Sequence, residues 1–254
     1  MNRRFLLVAL GTMLFLAASV FVRSGSAALI INANLYGGTT YNGPGAAGSS
    51  GTWNQVFSGG SSATPDNTQY TLGGLGFVTG PLQDATGSAA LGITFSDQYV
   101  TPINTGSFSA IPLLTDFIYT GGVAQAEISN VPAGTYDLYL YSQNGTAANL
   151  SSNFTIGVGG TVQTVTNAGN GGGSPADLDH FQNNVNYTEF TSVTPTAGNL
   201  LITFTPNPAL SVVGDYYATL NGFQLVAVDV PEPSSFVLLG IGLAATVLVT
   251  RRRK

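Results

Sequence analysis

The sequence predicts an all-β fold, an antiparallel β-sandwich or jelly roll over residues 29–229, flanked by an N-terminal signal helix and a C-terminal transmembrane helix. Three observations predict it. Short runs with period-two alternation recur through the middle of the chain and are punctuated by Gly-, Asn- and Ser-rich turns. Helical patterning is nearly confined to the two ends, each of which is an apolar segment beside basic residues. The composition is that of an extracellular β protein: 33 glycines in 254 residues, no cysteine, and charged residues at 7% where about 25% is usual.

Residues 1–28 read as a signal peptide. Asn2, Arg3 and Arg4 form a basic n-region, residues 5–22 are apolar apart from Gly11, Thr12 and Ser19, and Ser26, Ala27 and Ala28 supply the small residues that signal peptidase requires. Cleavage after Ala27 or Ala28 would place the mature N-terminus near Leu29. The apolar stretch is long, which leaves an uncleaved anchor as the alternative. The arginine pair runs directly into Phe5, a weak twin-arginine signal, so the general secretory machinery is the expected route.

The body is long enough to bury a core without disulfide staples. In TYDLYLY, residues 135–141, Tyr136, Leu138 and Leu140 fall on one face and Asp137, Tyr139 and Tyr141 on the other. Residues 154–158, then Gly159-Gly160, then residues 161–165 predict a hairpin with a two-residue turn. In LLITFT, Leu200, Ile202 and Phe204 alternate with Leu201, Thr203 and Thr205. The expected core therefore includes Tyr136, Leu138, Leu140, Leu200, Ile202, Phe204, Phe223 and Leu225.

The formal charge of −5 conceals a segregation. Every Lys and Arg lies at an end of the chain, and residues 24–250 hold all twelve carboxylates and no cation. Such a body repels phosphate backbones and has no cation with which to displace their counterions, so nucleic-acid binding is excluded. Acidity here serves solubility.

Residues 230–254 have three parts. Val230, Pro231, Glu232 and Pro233 can continue neither a strand nor a helix, and their prolines hold the chain extended. Residues 234–250 carry no charge and would span about 25 Å as a helix, slightly less than a bilayer core of roughly 30 Å. Arg251, Arg252, Arg253 and Lys254 follow, a basic anchor expected to stay in the cytoplasm. This order resembles the PEP-CTERM sorting signal of Gram-negative bacteria. The resemblance implies processing by exosortase, an integral-membrane cysteine protease, during export to the cell surface. The precursor would be single-pass in the inner membrane with the body outside, and the mature form would sit at the surface or be secreted. A sortase LPxTG-like pentapeptide is absent, and a GPI signal would not end in RRRK; a permanent single-pass anchor is the plain alternative.

AEISNVPAGTYDLYLYS, then AGNLLITFTP, then YYATLNGFQLVAV resemble the strand order of galactose-binding-like β-sandwich domains. In those domains the closing strand often carries the run matched here by Asn221, Gly222, Phe223, Gln224 and Leu225. The resemblance spans about half of the body, and its motifs are packing motifs, so it implies a fold and only hints at sugar binding.

Candidate chemistry is sparse. His180, the only histidine, follows Asp177 and Asp179 in DLDH, and two carboxylates with an imidazole would suit Ca²⁺ or a transition ion. No second cluster completes such a shell, which favours a solvated loop and no metal. No GxSxG elbow accompanies His180, and twelve carboxylates always offer pairs of the kind glycosidases use. The expectation is a protein that is not an enzyme and needs no cofactor. Trp53, the single tryptophan, would stack on a sugar ring if exposed and would anchor the first sheet if buried; burial is favoured. The sequons at Asn144, Asn149, Asn153 and Asn186 read as ordinary loop and strand residues in a bacterium.

Two functions from different classes remain. One is a non-enzymatic surface or extracellular-matrix protein of a biofilm or exopolysaccharide envelope, with signal peptidase, the secretory machinery, an exosortase-like membrane protease and extracellular polysaccharide as partners. The other is a secreted carbohydrate-binding module with a sugar site on the sandwich loops.

Overall fold

The computed structural model describes residues 29–35, 41–48, 51–56, 69–72, 76–79, 81–90, 92–98, 101–105, 111–143, 151–166, 180–208 and 217–228. The strands among them are β1 (Ile30–Leu35), β2 (Trp53–Val56), β3 (Gln69–Leu72), β4 (Gly76–Thr79), β5 (Thr94–Gln98), β6 (Thr101–Thr105), β7 (Asp116–Thr120), β8 (Ala124–Ser129), β9 (Tyr136–Tyr141), β10 (Ser152–Ile156), β11 (Val162–Val165), β12 (Tyr187–Val193), β13 (Leu200–Pro206), β14 (Ala218–Leu220) and β15 (Gly222–Ala227). One turn of 3₁₀ helix, Pro112–Leu114, is the sole helical element among the described residues.

The strands form a five-stranded sheet ordered β12-β9-β15-β1-β2, a seven-stranded sheet ordered β11-β10-β13-β8-β5-β4-β3, and a small sheet ordered β14-β7-β6. The two large sheets face each other in a sandwich-like arrangement over one apolar core, where Phe95 of β5 and Phe223 of β15 stack at 5.3 Å. All eight residues that alternation assigns to the core are buried. Each large apolar side chain removed from water contributes about 1.5–3 kcal/mol, which makes this inner layer the main source of stability.

Three features depart from the sequence reading. Pairing is antiparallel everywhere among the described strands except between β1 and β2, which run parallel. Residues 36–52 connect them, and a connection that long permits the crossover that a parallel pair needs. The β10–β11 hairpin exists with Thr155 opposite Val162, but it turns through residues 157–161 rather than through two glycines. Gly157 and Gly159 both adopt positive φ, 70° and 73°, which lengthens the turn at no steric cost. The third departure concerns Tyr141, which alternation places on the solvent face and which is fully buried.

Tyr141 is buried because the five-stranded sheet has a second layer on its outer face. Tyr41, Trp53, Ile111, Leu113, Leu114 and Tyr141 form a separate cluster there. Beneath it runs a ladder of amides. Gln224 Nε2 donates to Asn32 Oδ1 at 2.8 Å, and Asn32 Nδ2 donates to the Thr52 carbonyl at 3.2 Å. Tyr141 donates its hydroxyl hydrogen to Gln224 Oε1 and accepts from the Ala46 N–H at 2.7 Å. A Cβ on Gly45 would lie inside the Gln224 carboxamide, so only glycine lets this loop settle on the sheet.

The expected signal helix and transmembrane helix, residues 1–28 and 234–250, lie outside the described residues. No helix among the described residues is long and apolar enough to cross a membrane.

Candidate functional site

The outer layer is not sealed at the β9–β12 side. The register pairs Tyr187 with Tyr141 and Glu189 with Tyr139, so two tyrosines and a carboxylate stand together on the outer face. Tyr139, Tyr187 and Glu189 are half-buried. Tyr139 donates its hydroxyl to Glu189 Oε1 at 2.9 Å, and its ring lies 6.1 Å from that of Tyr187. Phe181 closes against Tyr141 at 5.1 Å and Tyr187 at 6.3 Å. The loop carrying Phe181 is held by Asn186, whose Oδ1 accepts from Gln182 N at 2.8 Å and whose Nδ2 donates to the His180 carbonyl at 3.1 Å.

Electrostatics keep these phenols protonated. Burial pushes the Tyr139 hydroxyl well above its ordinary value, and the hydrogen bond and negative charge of Glu189 push it further. Tyr187 is raised by burial and then by Glu189. A tyrosine held neutral in this way remains a hydrogen-bond donor across the physiological range.

Beside this surface, where edge strands β12 and β11 of the two sheets meet, lies a cleft of about 510 Å³. Its walls come from the β10–β11 hairpin, from β12 and from the turn leading into β13, and they present Gln163, Glu189, Thr191, Thr194 and Asn199 together with Val158. A β-bulge shapes it. Thr191 and Ser192 together oppose the single residue Asp137, and Ser192 sits at φ 58°, a conformation that costs a non-glycine residue about 1 kcal/mol or more. Asp137 Oδ1 accepts from the Ser192 N–H at 2.9 Å and holds the bulge in place. The walls are thus hydroxyl- and amide-bearing with one carboxylate, donors and acceptors suited to an uncharged polyhydroxyl ligand.

The residues singled out in the sequence are not brought to this cleft. Trp53 is 4% exposed, its Nε1 donates to the Gly43 carbonyl at 2.9 Å, and its ring packs edge-on to Tyr41 at 5.0 Å. It is an anchor of the outer layer, and a sugar ring has no access to its face. His180 is exposed at the start of the Phe181 loop, while Asp177 and Asp179 lie outside the described residues. Among the described residues no three His, Cys, Asp or Glu side chains group closely enough to hold a metal ion. Val230, Pro231, Glu232, Pro233, Arg251, Arg252, Arg253 and Lys254 also lie outside the described residues. Sequence reasoning missed Tyr139, Phe181, Tyr187 and Glu189. The available signal was the unusual tyrosine content of the solvent-side positions in TYDLYLY and NYTEF.

Residues 229–254 match the family model of the PEP-CTERM protein-sorting motif. The motif implies an exported protein made as a membrane-anchored precursor and processed by exosortase, a membrane protein. No curated protein matches the sequence. Among solved structures, the chain is similar to the ANX1 ectodomain from Arabidopsis thaliana, with 13% identity over 80% of this chain and 49% of that one and a TM-score of 0.37. It is similar to an exo-β-1,3-galactanase from Phanerochaete chrysosporium bound to galactose, with 18% identity over 59% and 32% of the two chains and a TM-score of 0.27. It is also similar to the carbohydrate-binding module TmCBM61 in complex with β-1,4-galactotriose, with 10% identity over 52% and 83% and a TM-score of 0.25. Against the plant receptor structures that head these matches, the chain spans 40%, 52% and 42% of their length.

Proposed function

We propose that the chain is a non-enzymatic protein of the cell surface or extracellular matrix, delivered by its C-terminal tail and released from the membrane by an exosortase-like protease. The observation that carries this reading is the sorting motif at residues 229–254. Its physical logic follows from the residue types. An apolar segment at 234–250 stops in lipid, and four cations behind it are costly to translocate, so export pauses there. The pause presents Val230, Pro231, Glu232 and Pro233 on the outer side of the inner membrane, extended by the prolines and open to a protease. Cleavage then frees an acidic body for a polysaccharide-rich envelope.

The test compares the wild type with a variant in which Pro231, Glu232 and Pro233 are all alanine, by immunoblot of membrane and medium fractions from the native host. The proposal expects shortened protein outside the cell for the wild type and full-length protein in the inner membrane for the variant. Full-length protein in the inner membrane for both would reduce the tail to an anchor.

A second reading, a carbohydrate-recognition module, is favoured by the half-exposed Tyr139, Tyr187 and Glu189 beside a polar cleft. Binding of the body to any glycan on an array supports it, and silence across the array favours a purely structural role.

A further inference from the structure

We propose that the cleft between the β10–β11 hairpin and the bulged strand β12 binds a neutral polysaccharide, with Glu189, Gln163 and Asn199 as its hydrogen-bonding groups and Val158 as its apolar rim. The inference rests on the second reading above and deepens it by naming the site and the ligand class.

Size comes first. A volume of about 510 Å³ falls in the range of small-molecule sites and takes a short run of sugar rings. The wall chemistry is next. Sugars present hydroxyls that both donate and accept, set around patches of C–H. Gln163 and Asn199 carry carboxamides that do both, Thr191 and Thr194 carry hydroxyls that do both, and Glu189 accepts. Val158, at 98% exposed, is the most exposed large apolar side chain among the described residues and stands on the rim as a partner for a C–H face.

Preorganisation supports a binding role. Glu189 is fixed from one side by the Tyr139 hydroxyl at 2.9 Å, and a carboxylate has further lone pairs for a ligand hydroxyl. Ser192 is held in a strained conformation by Asp137, and that bulge sets the direction in which Thr191 leaves the strand. Bulges next to binding sites re-aim side chains in this way. Strain kept at one place in an otherwise regular sheet points to a use for it.

Charge then selects among glycans. The cleft contains one carboxylate and no cation, and residues 24–250 hold twelve carboxylates and no Lys or Arg. A uronic-acid or phosphate-bearing chain would meet repulsion with nothing to offset it, whereas a neutral chain meets none. One carboxylate also falls short of the pair that glycosidic hydrolysis uses, so the site binds and does not cut.

The experiment is affinity electrophoresis of the folded body through gels cast with β-1,4-galactan, β-1,3-glucan, β-1,4-mannan or polygalacturonate. The variants are Glu189→Gln, Thr191→Trp and, as a control away from the cleft, Val123→Ser. Circular-dichroism melts establish that each variant is folded. The expected result is retardation by at least one neutral glycan and none by polygalacturonate. Affinity should fall about tenfold in Glu189→Gln, as for a lost hydrogen bond to a charged group. Binding should also be lost in Thr191→Trp, whose ring would fill the cleft, and be unchanged in Val123→Ser. Neutral-glycan binding that survives both cleft variants would overturn this site while leaving the second reading intact. Equal retardation by polygalacturonate would overturn the ligand class, and retardation by none of the four would overturn the site, whereas silence across the whole glycan array is what overturns the second reading.

Discussion

The two faces of the five-stranded sheet are both covered along β1 and are built from different chemistry. Strand β1 shows the contrast within six residues. Ile31, Ala33 and Leu35 point to the inner core, Asn32 and Asn34 point outward, and all five are 0% exposed. On the inner face burial is apolar and non-directional, so any side chain of the right volume contributes. On the outer face burial depends on each amide finding its partner, because an unpaired polar group out of water costs about 1–3 kcal/mol. The inner face thus supplies stability, and the outer face fixes one arrangement of the loops that cover it.

The largest effect expected from this contrast is on the inner face. Phe223→Ala removes a fully buried ring stacked on Phe95 and should cost about 3–5 kcal/mol in urea unfolding. A cost below about 1 kcal/mol would mean that the sheets are not packed through this layer. Next comes Gln224→Leu, which keeps volume but strips partners from Asn32 Oδ1, the Tyr141 hydroxyl and the Ala47 N–H. A loss of about 2–3 kcal/mol is expected, and a double-mutant cycle with Tyr141→Phe should show coupling of about 1 kcal/mol. Additive losses would show that the amide ladder is not a connected network.

Alkaline pH separates the faces without mutation. Burial raises the hydroxyls of Tyr41, Tyr139, Tyr141 and Tyr187, all in or against the outer layer, and that of Tyr136 at the margin of the inner one. A raised folded-state pKa contributes stability that is fully present below the ordinary value of 10.0 and is lost as pH rises toward the folded value, because the unfolded phenols ionise first. Melting temperature should therefore be level up to about pH 9 and fall above pH 10. Tyr141 alone adds a slope of about 1.4 kcal/mol per pH unit. Tyr141→Phe should flatten the fall, and an unchanged slope would remove Tyr141 from the account. The smallest effect expected is that of Val123→Ser, a large apolar side chain in solvent, which should stay within about 0.5 kcal/mol of wild type.

The same contrast explains what could be read from the sequence. Alternation identified Tyr136, Leu138, Leu140, Leu200, Ile202, Phe204, Phe223 and Leu225 as core because the inner face is apolar and its period is two. It sent Tyr141 to solvent, Asn32 and Asn34 went unremarked, and Gln224 was named only within a packing motif, because amides and phenols look solvated until the loop of residues 41–48 is known to lie over them. Glu189 and Tyr139 became visible only through the pairing of β9 with β12, strands that the sequence separates widely. The pull toward Trp53 was a pull toward rarity; its burial beside Tyr41 is the ordinary fate of an indole. The sorting motif at residues 229–254 was legible because it is local and needs no fold to be recognised.

Body and tail make the last comparison: one is held by long-range packing, the other carries a linear sorting motif whose removal is the proposal. Mass spectrometry of the mature protein purified from its native host reads both termini at once and tests that claim most directly. The account predicts an N-terminus near Leu29 and a C-terminus upstream of residue 234, with Arg251, Arg252, Arg253 and Lys254 gone. A mature protein whose C-terminus is still Lys254 would contradict it.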